Sequence, residues 1–352
     1  MKSPADPLFT LGRAILFKMD PERAHDLTLR CLDTTPIKRF VSSRYKTECT
    51  SYRRMGLKFR NRVGLAAGLD KNGDYIDALG AFGFGFIEVG TVTPLPQPGN
   101  DKPRLFRLTE HEALINRMGF NNKGVDHLVK QVAKRKFRGV LGINIGKNKA
   151  TPLESAIDDY KHCLEKVYPH ADYITINISS PNTQGLRDLQ FGDKLNQLLE
   201  SLKNLQSKLA TEHKKSVPLA VKAAPDMSTQ EISDFCLATK QHGIEAIIMG
   251  NTTSERDVVA SSRFANEAGG LSGSPLHSLS NQKLKEVVRL ACAEQTIIGV
   301  GGIGTGDQAL SKIEQGAHLI QLYSGLIYHG PALVCDCVKQ IEARTQEPGS
   351  AF

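Results

Sequence analysis

From residue 63 onward the chain repeats one unit eight times: a short apolar run of β-strand character, then a stretch with helical periodicity. The runs are 63–67, 84–90, 139–146, 173–179, 218–224, 246–251, 296–301 and 319–324. Most are continuously apolar rather than alternating, as parallel strands covered on both faces are. Three of the helical stretches open with the spacing of a capping box: Thr151-Pro152-Leu153-Glu154, Ser228-Thr229-Gln230-Glu231 and Thr305-Gly306-Asp307-Gln308. Eight β-then-α units predict an α/β fold, a (β/α)8 barrel, with a doubly wound open sheet as the competitor. The 352 residues accommodate one such barrel with segments to spare. A hydrophobic fraction of 40% suits a globular chain, and no run of 18 apolar residues is present to span a membrane.

Functional side chains of such a barrel stand at the carboxyl ends of its strands. Here those ends read Ala67-Gly68-Leu69-Asp70-Lys71, Gly90-Thr91, Asn144-Ile145-Gly146-Lys147-Asn148, Asn177-Ile178-Ser179-Ser180-Pro181-Asn182-Thr183, Lys222, Asn251-Thr252-Thr253, Gly301-Gly302 and Tyr323-Ser324. Amides and lysines in apolar strands are costly to bury without partners, so a polar ligand in the barrel mouth is expected. Lys71, Lys147 and Lys222 crowding that mouth favour an anion; Lys222 alone also suits a Schiff-base nucleophile. The connection 91–138 is too long for a simple turn. It carries Arg104, Arg107 and Asn116-Arg117-Met118-Gly119-Phe120-Asn121-Asn122, and is expected to fold over the mouth.

Gly299-Val300-Gly301-Gly302-Ile303-Gly304 formally matches a dinucleotide-binding fingerprint, but it lies late in the chain and the next strand ends without an acid. The better reading is a phosphate site after the seventh and eighth strands, with a plain tight turn as the alternative. Asn177-Ile178-Ser179 and Asn251-Thr252-Thr253 match glycosylation sequons but fall at strand ends. The ten histidines form no H-E-x-x-H and no ligand cluster, so no protein metal site is expected. Ser180 lacks a nearby His or acid in sequence, which weakens a hydrolytic triad. Seven scattered cysteines without a Cys-x-x-Cys read as reduced, structural thiols.

The net charge of +8 is concentrated at the start of the chain. Residues 1–60 hold thirteen basic and six acidic residues, and the remainder is almost balanced. This appendage is amphipathic: Leu8, Leu11, Ile15 and Met19 recur at helical steps beside Phe9 and Leu16. Asp20-Pro21 opens a second helix with Ala24, Leu27, Thr28, Cys31 and Leu32 on its less polar face. With Arg13, Lys18, Arg23, Arg30, Lys38 and Arg39 flanking, the pair suits an anionic lipid surface; a hairpin packed on its own barrel is the other reading. No nucleic-acid motif is visible. Met1-Lys2-Ser3-Pro4-Ala5-Asp6 lacks the apolar core of a secretory signal.

The strand-end motifs resemble those of dihydroorotate dehydrogenases, specifically the class 2, quinone-dependent, membrane-associated branch. The resemblance spans about residues 8–340. It rests on Ala66-Ala67-Gly68-Leu69-Asp70-Lys71, Gly90-Thr91-Val92-Thr93-Pro94, Pro103-Arg104-Leu105-Phe106-Arg107-Leu108, the 116–122 segment, the 177–183 segment and Gly269-Gly270-Leu271-Ser272-Gly273. Asp20-Pro21-Glu22-Arg23-Ala24-His25 is similar to the N-terminal helical segment of class 2, which tips the appendage toward membrane and quinone.

The resemblance implies oxidation of dihydroorotate to orotate in pyrimidine biosynthesis, with FMN as cofactor and a membrane quinone as acceptor. It implies FMN contacts from Ala67, Gly68, Leu69, Asp70, Lys71, Thr91, Asn144, Asn177, Lys222, Gly273, Gly302, Tyr323 and Ser324. Lys222 would face the charge developing on the reduced ring, and Gly302 and Ser324 would take the phosphate. Substrate contacts would come from Lys71, Asn116, Arg117, Met118, Gly119, Phe120, Asn177, Asn182, Asn251 and Thr252. Ser180 would be the base that takes the C5 proton as hydride leaves C6, with its proton path through a water and Thr183 beneath Phe120. His25, Arg107 and Tyr323 match residues near the quinone head, in a tunnel between appendage and barrel. A monomer, peripheral on the cytoplasmic face of a bacterial inner membrane, is also implied. So is a division into a helical segment (1–48), the FMN-binding barrel (49–342) and a tail (343–352). Three positions depart from the family: Gly250 replaces a usual Thr, while Leu95 and Ser274 replace commonly basic residues. A Schiff-base lyase using Lys222 and a non-enzymatic membrane scaffold are the competing functions.

Overall fold

The computed structural model describes residues 6–345; the expected features of residues 1–5 and of 346–352 lie outside the described residues. Three helices come first: α1 (Pro7–Leu16), α2 (Pro21–Leu32) and α3 (Thr35–Arg44). A hairpin of β1 (Tyr52–Arg54) and β2 (Leu57–Phe59) follows. The chain then runs β3 (Val63–Leu65), α4 (Ile76–Gly80), β4 (Phe86–Val92), β5 (Leu105–Leu108), β6 (Ala113–Asn116), α5 (Val125–Val132), β7 (Val140–Ile145), α6 (Ala156–Val167), β8 (Tyr173–Asn177), α7 (Gly192–His213) and β9 (Leu219–Ala223). It ends with α8 (Thr229–Gln241), β10 (Ala246–Met249), β11 (Gly270–Gly273), α9 (His277–Leu290), β12 (Thr296–Val300), α10 (Gly306–Glu314), β13 (Leu319–Leu322), α11 (Ser324–His329) and α12 (Ala332–Thr345).

Strands β3, β4, β7, β8, β9, β10, β12 and β13 pair in parallel in that order and close on themselves. All eight expected runs are the barrel strands, and the open sheet is excluded. Strands β5, β6 and β11 form a separate antiparallel sheet within the long excursions. α12 continues to Thr345, past the expected boundary at 342.

Of the three expected capping boxes, only that of Ser228 is complete, its Oγ accepting from Glu231 N while Glu231 accepts from Ser228 N. Thr305 caps Gln308 N, but the Gln308 side chain reaches back one residue further, to Gly304 N at 2.7 Å. The Thr151 box does not form. A short 3₁₀ turn intervenes before α6, and the Thr151 carbonyl instead accepts from Lys147.

Side chains alternate across each strand, so every second residue points into the barrel. At the amino-terminal end those residues are apolar: Phe86, Val140, Tyr173, Ala220, Ala246 and Leu319 pack with Phe59 of the hairpin, which closes that end. Large rings fit there because their neighbours have no side chain. A Cβ on Gly64 would stand 2.2 Å from the Phe86 ring, and one on Gly142 2.2 Å from that of Tyr173. One layer higher the inward residues turn polar, with Glu88, Asn144, Thr175, Asn177, Lys222 and Gln321 all buried.

Both Asp6 and Asp20 cap a helix with proline in its first turn, as the Asp20-Pro21 reading required. A third helix, α3, was not anticipated. The buried face of α2 is also rotated from the expected one: Ala24 and Leu29 are inside, whereas Leu27 and Cys31 are exposed. Leu29 turns inward because α2 packs on the barrel core. No residue of α1 is buried; Leu8, Leu11 and Ile15 are each at least 60% exposed. Asp6 ties α1 to the end of α3 by accepting from Tyr45 Oη and Arg44 Nε. The Tyr45 hydrogen bond, with Arg44 beside it, holds its carboxyl below the usual aspartate range.

The glycine–aromatic fit gives a test of the barrel floor. Gly64→Ala should destabilise the fold by about 1–3 kcal/mol through overpacking. Adding Phe86→Leu should recover part of that loss, read as the shift in urea midpoint.

Candidate active site

At the carboxyl end of the barrel a cavity opens whose empty volume, mouth included, is about 1020 Å³. Its wall comes from seven of the eight strand ends, all but that of β7, from the excursion after β4 and from the β11 sheet.

The polar layer beneath is organised by one carboxylate. Glu88, fully buried, accepts from Asn144 Nδ2 at 2.8 Å through one oxygen. Through the other it accepts from Tyr173 Oη (2.8 Å), Thr175 Oγ1 (3.1 Å) and Gln321 Nε2 (2.8 Å). An ionised carboxylate only accepts, so Asn144 must present its NH₂ to Glu88 and its oxygen outward. That oxygen accepts from Thr91 Oγ1 at 2.6 Å, and Thr91 Oγ1 accepts from Asn177 Nδ2 at 2.8 Å. Asn177 Oδ1 then accepts from Ser179, whose hydroxyl takes the Asn251 NH₂ at 2.8 Å. The orientation of three asparagines thus propagates from Glu88. Sequence reading missed Glu88; the signal was an acid inside an otherwise apolar strand.

Lys222 projects into the cavity above this layer. Its ammonium has no hydrogen-bond acceptor among the described residues, and burial pulls its pKa down against the opposing attraction of Glu88. Thr252 Oγ1 is likewise buried in the cavity wall without a partner. Lys71 donates to Gly68 O at 2.7 Å, and desolvation lowers its pKa to about 8. Ser180, also in the wall, accepts from Asn182 N at 3.3 Å and has no carboxylate or imidazole partner among the described residues.

The excursion does cover the mouth, contributing Asn116, Met118, Gly119 and Phe120. Phe120 holds a left-handed φ of 54°, unusual for a bulky side chain. Its carbonyl is fixed by Gln97 Nε2 and Asn122 Nδ2, which hold the backbone there. Asn100 staples the segment to the Ser180 loop by donating to the carbonyls of Arg117 and Asn182. Behind that loop, Arg187 donates to the carbonyls of Ser179 and Thr252 and to Asp226 Oδ2, a role the sequence did not reveal.

The structure brings Ala67, Gly68, Lys71, Thr91, Asn116, Met118, Gly119, Phe120, Asn177, Ser180, Asn182, Lys222, Asn251, Thr252, Gly273, Gly302, Tyr323 and Ser324 to one cavity. Others stand elsewhere. Asn144 acts from the layer below. Asp70 turns its carboxylate onto the backbone N–H groups of Asn72, Asp74 and Tyr75, shaping the turn rather than facing the cavity. Arg117 pairs with Glu267. Thr183 is buried outside the wall, with no hydrogen bond to Ser180 among the described residues. Lys147 does not crowd the mouth; its ammonium is spent on the carbonyls of Asn148 and Thr151. Gly250 has φ 118°, and a Cβ there would meet Val300 O at 2.4 Å, so this backbone is built around glycine. Leu95, 68% exposed, and Ser274 lie outside the cavity wall.

A second cavity lies between α2 and the barrel. It is lined by His25, Leu29, Leu69, Leu105, Leu114 and others, and shares Lys71, Asn116, Met118 and Tyr323 with the first. Burial and the nearby Lys71 lower the His25 pKa to about 4, so the imidazole is neutral at pH 7. Arg107 is not in this wall. It clamps the end of α1, donating to the carbonyls of Leu16 and Met19 with its guanidinium over the Phe17 ring.

Fold and site together describe a (β/α)8-barrel enzyme whose closed mouth is built for polar, anionic ligands. The chain belongs to the dihydroorotate dehydrogenase family, whose sequence profile matches residues 50–345. It falls in the quinone-dependent, class 2 branch. It is 53% identical to the dihydroorotate dehydrogenase (quinone) of Psychrobacter sp. (strain PRwf-1), over 95% of this chain and 97% of that one. Identity to the protein of the same name from Neisseria meningitidis serogroup B is 54%, over 95% and 99%. The crystal structure of the Eimeria tenella enzyme in complex with ferulenol superposes with a TM-score of 0.80 at 36% identity, covering 93% of this chain and 91% of that one.

Two substitutions test the site's framework. Glu88→Gln places an NH₂ among groups that all donate, and should cost about 1–3 kcal/mol of stability through unsatisfied buried donors, read by denaturant unfolding. Arg187→Ala should leave the fold intact while raising KM for the ligand of the Ser180 loop.

Proposed function

We propose that this chain oxidises dihydroorotate to orotate in pyrimidine biosynthesis, using FMN and passing the electrons to a membrane quinone. The observation that carries the reading is one closed cavity holding an unpartnered Lys222 ammonium, an orphaned Thr252 hydroxyl, four inward amides (Asn116, Asn177, Asn182, Asn251) and the Ser180 hydroxyl. A flat heterocycle with both donors and acceptors answers those amides. The fit to FMN is chemical. Lys222 is a fixed cation for the ring edge that gains charge, Ala67, Gly68 and Thr91 line the ring's space, and Gly302, Gly273 and Ser324 surround the place for a phosphate. When bound, the flavin supplies the two-electron acceptor for hydride.

The chain's own residues do the rest. Lys71 sets a positive charge against the substrate carboxylate, held there by Gly68 O. Asn177, Asn182 and Asn251 orient the ring, Asn177 and Asn251 with rotamers fixed by the hydrogen bonds that begin at Glu88 and Asn182 by donating to Asn116 Oδ1. Ser180 Oγ takes the C5 proton as it passes its own hydroxyl proton on, and the Asn182 N–H directed at that oxygen steadies the negative charge that its own proton leaves behind. Phe120 covers Ser180 from bulk water, and the proton leaves through a water and Thr183. The second cavity is the quinone's approach: neutral His25 faces it, and Tyr323 stands in both walls. Arg107 supports the approach by fastening α1.

Among the described residues, seven of the ten large exposed apolar side chains fall in residues 8–40, namely Leu8, Leu11, Ile15, Met19, Leu27, Ile37 and Phe40. Among the described residues no helix is long and apolar enough to cross a membrane. Residues 6–48 therefore lie on an anionic lipid surface, at the cytoplasmic face of a bacterial inner membrane, while residues 49–342 carry the chemistry as a monomer.

The purified protein should show flavin absorption that bleaches with dihydroorotate and returns with a quinone. A colourless protein trapped by borohydride on a carbonyl substrate would instead indicate a Lys222 lyase. Ser180→Ala should keep the flavin but lower its reduction rate by about 10²–10⁴, measured by stopped flow. Lys71 is cationic below its pKa of about 8 and neutral above it, so kcat/KM for dihydroorotate should fall as pH rises through that value.

A further inference from the structure

Lys312, on α10, is fully buried yet faces no carboxylate among the described residues. Burial lowers its pKa to about 7, so an ammonium held there without a counter-ion is costly and calls for an explanation. Its ammonium donates to two neutral acceptors at the start of α9: Ser280 Oγ and Asn281 Oδ1, both at 2.8 Å. Each continues toward the glycine loop after β12. Ser280 Oγ lies 3.0 Å from Gly301 O, to which it donates. Asn281, with its oxygen engaged by Lys312, turns its NH₂ to His277 Nε2 at 3.1 Å. His277 Nε2 must then accept, so Nδ1 carries the proton and donates to Gly302 O at 3.0 Å. Burial, and next the charge of Lys312, lower the His277 pKa and keep the imidazole neutral.

Two relays thus fork from one ammonium to the carbonyls of two successive residues. In a planar trans peptide the N–H points opposite to the C=O. Drawing the Gly301 carbonyl toward α9 turns the Gly302 N–H away from it, and drawing the Gly302 carbonyl does the same for the Ile303 N–H. Gly301, Gly302 and Ile303 all line the main cavity. Neither the Gly302 nor the Ile303 N–H has an acceptor among the described residues. The positive φ of Gly301 (106°) and Gly302 (67°) makes this pair of turns possible, and a Cβ on Gly302 would meet the His277 backbone at 2.3 Å.

We infer that Lys312 is the positioning residue of the phosphate cradle: its buried charge acts through Ser280 and through Asn281–His277 to present the Gly302 and Ile303 N–H groups to the cofactor phosphate, and so sets the preference for a phosphorylated flavin. The anion missing from the protein around Lys312 is then the one the cofactor brings. This rests on the FMN reading above, and the experiment separates the two.

The measurement is the dissociation constant of FMN and of riboflavin, which lacks the phosphate, from flavin-stripped protein by fluorescence quenching. It is made for the wild type, Lys312→Met and Lys312→Gln. The wild type should bind FMN more tightly than riboflavin; no flavin binding, or no preference, overturns the FMN reading itself. Lys312→Met should weaken FMN by about tenfold and leave riboflavin unchanged, a Coulombic effect across two hydrogen bonds in a dry interior. It should also raise the melting temperature of the stripped protein, because an unpaired buried charge is gone. Lys312→Gln keeps donors for Ser280 and Asn281 without the charge and should lose FMN preference like the methionine variant. Restored preference in Lys312→Gln, equal loss of both flavins in Lys312→Met, or failure of both variants to fold would overturn the inference and make the lysine a structural strut.

Discussion

A single buried carboxylate sets the polarity of this active site. Glu88 can only accept, and it is surrounded by four donors from Asn144, Tyr173, Thr175 and Gln321. Amide side chains have two faces of similar shape and opposite hydrogen-bonding sense, so an asparagine in a cavity is an ambiguous recognition element until something orients it. The carboxylate removes that ambiguity for Asn144, and the hydrogen bonds through Thr91 and Ser179 carry the choice to Asn177 and Asn251. The same group offsets part of the desolvation of Lys222. The orientation of the cavity's asparagines and the setting of its buried cation thus both depend on an acid that lies beneath the cavity and outside its wall.

The second half of the molecule's logic is mechanical. The mouth of a barrel is open by construction, and the chain closes it with the segment after β4. Asn122, Gln97 and Asn100 bond backbone groups of that segment, and Asn100 extends the staple to the Ser180 loop. Arg104 joins the same frame to α2 through a bidentate pair with Glu22. The amphipathic helices are therefore anchored to the cover of the active site, which places the second cavity and its neutral His25 directly against the wall of the first.

Much of this was legible in the residues. The eight barrel strands, the Asp20-Pro21 helix start and most of the cavity wall follow from apolar runs and from amides at strand ends. What escaped was non-local. The inward face of α2 depends on the surface it meets, so Leu29 and Leu27 exchanged roles relative to the helical pattern. Lys147 and Asp70 stand at strand ends like their neighbours, yet backbone groups of their own loops capture their charges. Glu88 and Lys312 were invisible because their partners are 56 or more and 31 or more residues away in the chain, and Arg187 because two of its three partners, Asp226 and Thr252, are 39 and 65 residues away.

By itself the sequence determined the barrel, because a β-then-α period with two-sided apolar strands has few other ways to bury its surface. It also determined the stock of polar groups available at the mouth, since strand ends must face one way in a parallel barrel. Only the tertiary structure decided which of those groups point at a ligand and which are consumed in holding the frame. Hydrogen bonds between distant segments make that choice, and a pattern read along the chain does not contain the distances across it.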